Sequence, residues 1–539
     1  MTYSNWFNMS GVWTTAADWS AGEPNASLDA YLSTLGTAYT LALSTAAQAR
    51  SLTVAGAGAT FSESAGGSLV ARGGLNLHDG TVILDGANAL GSSWLDGGKL
   101  VIGNPNALGF ASLLVDAGEL TNTTTVALDS DLTFQSAGGL SGTIAAARGT
   151  SFTLGGVDGW TVQLANPVTL NFGAAGADGT VIWKTGPASG FTGDLPLLPP
   201  FRINVNAGTL QAGDANFGLL FNGYGANEQT TVAAGATIDL HGYDATIENL
   251  LGSGNVTSAT AATLGFPGIS DFAGQITGKL SILVGAQQQL SGANTYTGLT
   301  EIRSLSILIL GDGGATGTIS AASAVSDDGE LEFDHSNTLT VANIISGTGE
   351  VVNGGNGTTI LTHANTFSGG SRIFHGSLEA ASAGALGSGG LTLLAATKFM
   401  AKVDFTLPST LDITGGATLA AASGMTLATS ATHPWTYHLS TGTLTFGIGA
   451  FTGTVIWNTP AGFQFTGAGA FAVNIATGTL RAGDDSFFHL TDHDVNGAVT
   501  ATTIAAAAFL DAAGHPLAIT NLLGSGTIEN TGAATTLNF

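Results

Sequence analysis

The sequence contains no cysteine, which excludes disulfide bonds, thiol catalysis and cysteine metal sites. It is also poor in charge, because charged residues make up 9% of its 539 residues, against about 25% in typical globular domains. Proline is scarce, with 12 residues. A chain that combines so little charge with 44% hydrophobic residues is too apolar to be disordered, and it has enough apolar material for a large core.

Basic residues are particularly few. The chain has 12 Lys and Arg against 37 Asp and Glu, which gives a formal charge of −25. A protein that binds nucleic acid needs a basic face to neutralise phosphates, and so few scattered cations do not form one. The same repulsion disfavours docking on anionic membranes. We therefore expect no nucleic-acid partner, while the charge remains compatible with cation binding.

Long apolar runs are missing as well. No segment has eighteen consecutive apolar residues, so we expect no transmembrane helix and no membrane insertion by this chain. The first fifteen residues lack a basic stretch followed by an apolar one, so no cleavable signal peptide is expected. If the chain is exported, either the numbering begins after processing or export uses an uncleaved C-terminal signal, and both alternatives stay open.

Glycine is abundant, with 80 residues, and Thr, Val, Ile and Phe alternate with Gly, Ser and Asn in a way typical of strands joined by tight turns. The Ala-rich stretch Ile504–Phe509 is compatible with a brief helix or an apolar strand. Short segments with period-two alternation, mostly bounded by turn residues, predict strands. They include Thr81–Leu84, Lys99–Ile102, Thr125–Leu128, Ser281–Val284, Ser306–Leu310 and Glu330–Phe333.

A block of about 270 residues is duplicated, as expected for a repetitive architecture. Small drifts in the offset indicate insertions at the corners of a solenoid. The matched segments are Gly179–Trp183 with Gly453–Trp457, Gly208–Leu210 with Gly478–Leu480, Ala212–Asp214 with Ala482–Asp484, Asn249–Gly254 with Asn521–Gly526, Trp160–Thr161 with Trp435–Thr436, and Ala107–Gly109 with Ala385–Gly387.

Many short strands also fit sandwiches or barrels, but those domains hold roughly 100 to 250 residues and would need linkers. No Pro/Ser-rich or charged linker is visible. The sequence therefore predicts an all-β fold, a right-handed parallel β-helix (β-solenoid), in which each rung pairs with the next and inward apolar side chains stack into ladders.

Two segments resemble the passenger-associated transport repeat of autotransporter-type surface proteins. The first, Gly292–Gly298, reads G-A-N-T-Y-T-G and continues through Thr300–Ile302. The second, His363–Gly370, is followed by the G-x-L and A-L-G-x-G elements at Gly376–Leu378 and Ala385–Gly389. The resemblance implies a passenger β-helix located outside the cell, on the bacterial surface.

Partial copies of this repeat are found at Asn104–Gly109 and Val205–Gly213, and the opening Gly11–Pro24 is similar to the leader of large secreted β-helical proteins. The repeats suggest four parts. These are an N-terminal cap with the first rungs (1–50), a first block (51–266), a segment rich in transport repeats (267–390) and a second, partial block (391–539). If Phe539 is the native terminus, an open final rung predicts head-to-tail association into a fibre or layer.

Candidate sites each have a structural alternative. Gly354–Thr359 resembles the glycine part of a calcium-binding repeat but lacks the Asp ligand, so a plain turn is the preferred interpretation. An acidic loop at 484–494 has the residue types that bind cations, although a solvated loop is favoured. Its members are Asp484, Asp485, His489, Asp492, His493 and Asp494.

Two arginines and three tryptophans each allow a functional and a structural interpretation. Arg303 and Arg372 are isolated, so packing of their stems is preferred over a role as the base of a polysaccharide lyase. A sugar-binding platform and a cap over the terminal core are both open for the N-terminal tryptophans, with the cap favoured. These are Trp6, Trp13 and Trp19.

No Ser-His-Asp set, phosphate-binding glycine loop or zinc motif is present. We therefore expect no catalytic, cofactor-binding or metal-binding residues and no cofactor. The predicted function is that of a non-enzymatic extracellular surface protein with a structural or adhesive role, whose partners are further copies of itself or surface glycans. The alternatives are a polysaccharide lyase or hydrolase on the same scaffold and a carbohydrate-binding adhesin.

Overall fold

A computed structural model describes most of the chain. The described residues are 3–7, 9–33, 37–109, 111–128, 130–135, 141–155, 159–163, 167–186, 189–192, 201–221, 228–438, 442–466, 469–492 and 499–539. The chain divides into two compact units, Met1–Ser281 and Ile282–Phe539. Three short 3-10 helices are present in the described residues, at Ala16–Asp18, Phe217–Phe221 and Phe487–Leu490. None of the described helices is long and apolar enough to cross a membrane.

The strands of the first unit, the last of which extends past its end, are Tyr3–Asn5, Gly11–Val12, Asp29–Leu32, Tyr39–Leu43, Ala46–Ala49, Leu52–Glu63, Ser68–Ala71, Leu75–Leu84, Ala89–Leu90, Ser93–Ile102, Leu113–Asn122, Val126–Ala127, Leu132–Gln135, Ser141–Ile144, Ala146–Leu154, Trp160–Gln163, Val168–Phe172, Asp178–Trp183, Gly190–Thr192, Phe201–Val205, Thr209–Ala212, Gln229–Val232, Thr237–Asp239, Ala245–Thr246, Leu250–Gly252, Asn255–Phe266, Ser270–Phe272 and Gln275–Val284.

The strands of the second unit are Gln287–Leu290, Thr300–Ile302, Ile307–Gly311, Val325–Asp327, Glu330–Asp334, Thr338–Val341, Ile345–Ser346, Glu350–Asn353, Thr358–Leu361, Ser371–Ile373, Ser377–Ala380, Leu391–Leu393, Lys398–Ala401, Phe405–Thr406, Leu411–Thr414, Thr418–Ala421, Thr426–Ala428, Trp435–His438, Gly442–Phe446, Thr454–Trp457, Gln464–Thr466, Phe471–Ile475, Gly478–Ala482, Val499–Ile504, Ala508–Asp511, Leu517–Ala518, Leu522–Gly524, Thr527–Glu529 and Leu537–Asn538.

The strands pair in parallel, each with the strand at the same position of the next turn. In the second unit, for example, Glu330 pairs with Glu350 and Val351 pairs with Ser371. This stepwise parallel register is that of a β-solenoid. The prediction of an all-β parallel β-helix is confirmed, whereas its right hand stays a prediction. The predicted divisions after residues 50, 266 and 390 also stay predictions.

Inward side chains stack into continuous ladders in each unit. A ladder in the first unit is formed by buried apolar side chains in register, namely Val54, Leu77, Leu95, Val115, Phe134 and Val162. A ladder in the second unit is formed by the apolar side chains of Leu308, Leu331, Val351, Leu391, Leu411 and Trp435, with the buried polar Ser371 between Val351 and Leu391. Because each fully buried apolar side chain contributes about 1.5 to 3 kcal/mol, these ladders supply much of the stability of each unit.

The six segments predicted as strands from alternation coincide with or overlap strands, the shortest match being Val126–Ala127 within Thr125–Leu128. The Ala-rich stretch Ile504–Phe509 is not helical. It comprises the end of strand Val499–Ile504, a turn, and the beginning of strand Ala508–Asp511. Tertiary pairing with the neighbouring rung decides this case, since alanine favours helix by itself.

Candidate functional site

A groove of about 660 Å³ opens among the first strands of the first unit. Its volume lies within the range of about 300 to 1,000 Å³ that is usual for small-ligand sites. Aromatic rings and small polar side chains line it together, and among the described residues the lining is Tyr3, Asn5, Trp6, Phe7, Ser20, Tyr31 and Ser33. The groove is therefore a candidate binding site.

Strand register places the aromatic walls of the groove. Tyr3–Asn5 pairs in parallel with the following rung, so that Tyr3 is opposite Asp29 and Asn5 is opposite Tyr31. The rings of Tyr3 and Tyr31 are 6.4 Å apart between centroids. Tyr3 is 57% exposed and Phe7 is 53% exposed, which is unusual for side chains of this size. Exposed aromatic rings next to a concave surface make the groove a candidate for ligand binding.

The three N-terminal tryptophans form a buried cluster next to the groove, and one of them, Trp6, also lines it. Trp19 lies edge-on to both Trp6 and Trp13, with 5.0 Å between centroids in each pair, and Trp13 contacts Phe61 of the core. Trp19 Nε1 donates to the Trp13 carbonyl oxygen at 2.9 Å, and Trp6 Nε1 donates to the Met9 carbonyl oxygen. All three indoles are buried, so they offer no open platform for a sugar, and a cap over the terminal core stays the preferred interpretation of this cluster.

Sequence reasoning missed the exposed rings of Tyr3 and Phe7 and the partly exposed ring of Tyr31. The signal for the two tyrosines is the alternation of side chains within a strand. Ser4 is buried, as are Ala30 and Leu32 on either side of Tyr31, so Tyr3 and Tyr31 point outward. The alternation of such short segments is visible only after the strands are known.

A pair of opposite charges lies next to the groove. Arg50 pairs with Asp29 through two nitrogens, and Ser51 Oγ donates to Asp29 Oδ1 at 2.7 Å. The hydrogen bond from Arg50 is the main reason why the pKa of Asp29 lies below its usual value. The Asp29–Arg50 pair therefore adds little net charge beside the groove.

The acidic loop shows no cation site in its described part. Asp484 uses its carboxylate within the fold, accepting hydrogen bonds from the backbone nitrogens of Thr459 and Ser486. Asp485 faces His515 Nδ1 at 2.7 Å. His493 and Asp494 lie outside the described residues. Among the residues that the structure describes, no three Asp, Glu, His or Cys side chains are grouped for metal binding.

The two arginines are not brought together. Arg303 follows strand Thr300–Ile302 and lies 3.9 Å from Glu301, whereas Arg372 lies in a strand of another sheet and pairs with Glu350. Gly354–Thr359 includes the turn between strands Glu350–Asn353 and Thr358–Leu361, where Asn353 Nδ2 donates to the Gly355 carbonyl oxygen at 3.1 Å. These positions have structural contacts that account for them.

Comparison with known proteins finds an adhesin to which part of this chain is similar. Over 233 residues, the chain is 31% identical to the adhesin BmaC autotransporter of Brucella suis biovar 1 (strain 1330), an alignment that covers 36% of this chain and 7% of the adhesin. The chain thus spans a small part of the length of that relative. No family model matches the chain, and no solved structure matches it. Part of the chain is therefore similar in sequence to an autotransporter adhesin, and the parallel β-helix of the chain is consistent with an autotransporter passenger.

Proposed function

We propose that this chain is a non-enzymatic adhesive protein of the bacterial cell surface, and that the groove lined by Tyr3, Phe7 and Tyr31 binds surface glycans. The observation that carries the proposal is the pairing of exposed aromatic rings with small polar side chains around one concave site. Similarity to an autotransporter adhesin supports the adhesive role and the location outside the cell.

The chemistry of the groove suits a sugar. A sugar ring has carbon faces that pack against aromatic rings, and hydroxyl groups around its edge that exchange hydrogen bonds with polar side chains. Tyr3, Phe7 and Tyr31 provide the first kind of contact, and Asn5, Ser20 and Ser33 lie where they can provide the second. A mostly apolar concavity with a few polar groups is the usual form of a specific small-ligand site.

Catalysis on a glycan is less well supported at this site. A glycosidase needs two carboxyl groups, and a lyase needs a base that removes a proton near neutral pH. Among the described residues that line the groove there is no Asp, Glu, His, Lys or Arg. Binding without cleavage is therefore the preferred function. Self-association into a fibre or layer stays a separate prediction, tested by electron microscopy of the purified protein.

A glycan array probed with the purified chain tests the proposal. We expect binding to a subset of glycans, and Tyr3→Ala and Phe7→Ala should each weaken it about three- to tenfold, because each removes an aromatic contact worth about 0.5 to 1.5 kcal/mol. The matched control is Phe374→Ala, which removes an exposed ring of the second unit, 39% accessible, and should leave binding unchanged. Circular dichroism checks that each variant is folded.

Two results would contradict the proposal. One is the absence of binding to every glycan on the array. The other is glycan binding that is unaffected by Tyr3→Ala, Phe7→Ala and the double variant, which would place the binding surface elsewhere.

A further inference from the structure

We infer that the groove is one end of an elongated site for an uncharged polysaccharide, with Trp94 as its second aromatic contact. This inference rests on the proposed function and adds to it the class of glycan and the direction in which the glycan lies. It is based on strand register in the first unit, on the surroundings of Trp94 and on the local charge.

One outward column of side chains connects the groove to Trp94. Consecutive parallel pairings align Asn5 with Tyr31, Tyr31 with Thr53, Thr53 with Asn76, and Asn76 with Trp94. In a parallel ladder, paired residues project on the same side of the sheet, one above the next. The inward neighbours of this column are fully buried, so the column itself faces solvent. They are Leu32, Val54, Leu77 and Leu95.

Spacing along the column matches an extended ligand. Neighbouring strands are about 4.8 Å apart, so three steps separate Tyr31 from Trp94 by about 14 Å. A ligand that contacts both rings must therefore be longer than one sugar and must run across the strands. Between the two rings the column holds only Thr53 and Asn76, whose hydroxyl and amide groups can bond sugar hydroxyls without filling the space that the chain would occupy.

Trp94 is held in a defined position on this face. Its indole meets the ring of His78 edge-on at 5.7 Å, and His78 Nδ1 in turn lies 2.8 Å from both carboxylate oxygens of Asp96. Trp94 is partly exposed, while its indole nitrogen is buried without a hydrogen-bond partner among the described residues. The accessible part of the side chain is therefore carbon, which suits stacking on the apolar face of a sugar.

Charge favours an uncharged polymer. Asp29 is paired with Arg50 beside the groove, Asp96 faces His78 beside Trp94, and none of the five residues of the column carries a charge. The whole chain carries a formal charge of −25, which repels polyanions. A neutral polysaccharide avoids this repulsion and still uses the aromatic and hydroxyl contacts.

The experiment compares oligosaccharides of increasing length on the full chain. Isothermal titration uses three neutral series, based on cellobiose, maltose and mannobiose, from disaccharide to hexasaccharide, and a heparin-derived hexasaccharide as the anionic probe. We expect at least one neutral series to bind about tenfold more tightly as the hexasaccharide than as the disaccharide. Trp94→Ala should remove this gain in affinity and leave the disaccharide affinity unchanged, whereas Tyr3→Ala should weaken both.

Further variants keep the test independent of folding. Trp94→Tyr retains an aromatic ring at the position and should keep most of the gain with length, and Phe374→Ala should keep all of it. Circular dichroism and thermal unfolding verify that Trp94→Ala retains the β-helix.

Three results would overturn the inference in whole or in part. A neutral disaccharide that binds as tightly as its hexasaccharide, or a length gain that survives Trp94→Ala, overturns the elongated site while leaving the groove as the binding site. Tighter binding of the anionic hexasaccharide overturns the assignment to neutral glycans. If no neutral series binds, the inference fails, and the glycan array then decides whether the proposed function fails with it.

Discussion

Trp183 and Trp457 make equivalent edge-on contacts with a phenylalanine in the two units. Trp183 meets Phe172 at 5.5 Å with an angle of 88° between the rings, and Trp457 meets Phe446 at 5.6 Å with an angle of 85°. Both indole nitrogens are buried, and neither has a hydrogen-bond partner within the described residues. The duplication seen in the sequence therefore repeats the core geometry, down to an unsatisfied donor at the same place.

Removal of either ring should destabilise the unit that contains it. We expect Trp183→Ala and Trp457→Ala each to lower the free energy of unfolding by about 3 to 5 kcal/mol, because a large buried side chain leaves a cavity. Urea unfolding, monitored by hydrogen exchange and mass spectrometry, measures the stability of each unit separately. Ile269→Ala, at a side chain that is 70% exposed, is the control and should change stability by less than about 0.5 kcal/mol. A loss below about 1 kcal/mol for either tryptophan would contradict the assignment.

Glycine is required at the repeated position Gly252 and Gly524. Both have a positive φ, of 102° and 101°, and a Cβ at either would clash with a carbonyl oxygen of the preceding rung, that of Val232 or Ile504. We expect Gly252→Ala and Gly524→Ala to cost at least about 2 to 3 kcal/mol in urea unfolding, combining backbone strain with the clash. Gly235→Ala is the matched control, because Gly235 also has a positive φ but has open space around it, and it should cost about 1 kcal/mol. Equal losses at the three positions would show that the close approach is unimportant.

Asp327 should make the second unit less stable as the pH rises. Its side chain is buried, Oδ1 accepts from the Gly329 nitrogen at 3.0 Å, and Oδ2 has no partner within the described residues. Burial, reinforced by the nearby charges of Asp328, Glu330 and Glu350, raises the pKa to about 7.

Stability falls with rising pH because the unfolded state loses the Asp327 proton at a lower pH than the folded state does. Below pH 4 both the folded and the unfolded chain hold it, and between pH 4 and 7 the unfolded chain loses it first. This group should therefore lower the free energy of unfolding by about 2 to 4 kcal/mol over that interval. Asp327→Asn should remove this dependence and make the protein more stable than the natural chain at pH 8, as measured by urea midpoints.

The adjacent Asp328 provides a control of opposite sign. Hydrogen bonds from the Thr348 backbone nitrogen and hydroxyl lower its pKa, so its contribution is present above about pH 4 and is lost as the pH falls. Asp328→Asn should therefore lower stability at pH 8 and have little effect at pH 3. If Asp327→Asn instead lowers the urea midpoint at pH 8, its carboxylate is stabilising and the assignment is wrong.

Divalent cations should not stabilise the protein. Asp484 already accepts two backbone hydrogen bonds, and Asp485 faces His515, so the described part of the acidic loop leaves no set of carboxylates free for calcium. We expect the same thermal unfolding midpoint with calcium, with zinc and with a chelator, since only a ligand that binds the folded state raises it. A calcium-dependent rise that Asp485→Asn abolishes would contradict this.

The local sequence pattern was sufficient to predict the strands and the duplicated block. Segments such as Lys99–Ile102 and Glu330–Phe333 alternate with period two, and this pattern survives in the fold because it is fixed by the pleat of each strand. Gly252 and Gly524 recur at the same place in the duplicated block because the backbone there has a positive φ, which glycine adopts readily. The candidate site was not accessible in this way, since the three tryptophans that attract attention in the sequence are buried next to less conspicuous rings.

The sequence by itself determined the class of fold, the repeated block and the turns, because strand alternation and glycine conformation are properties of a few consecutive residues. Only the tertiary structure decided which distant side chains share a face. Tyr31 and Trp94 are in one column because each rung closes after a different number of residues, and the paired strands set the register after every loop. Register depends on these cumulative lengths and on burial of the inward ladder, so no local stretch of sequence contains it.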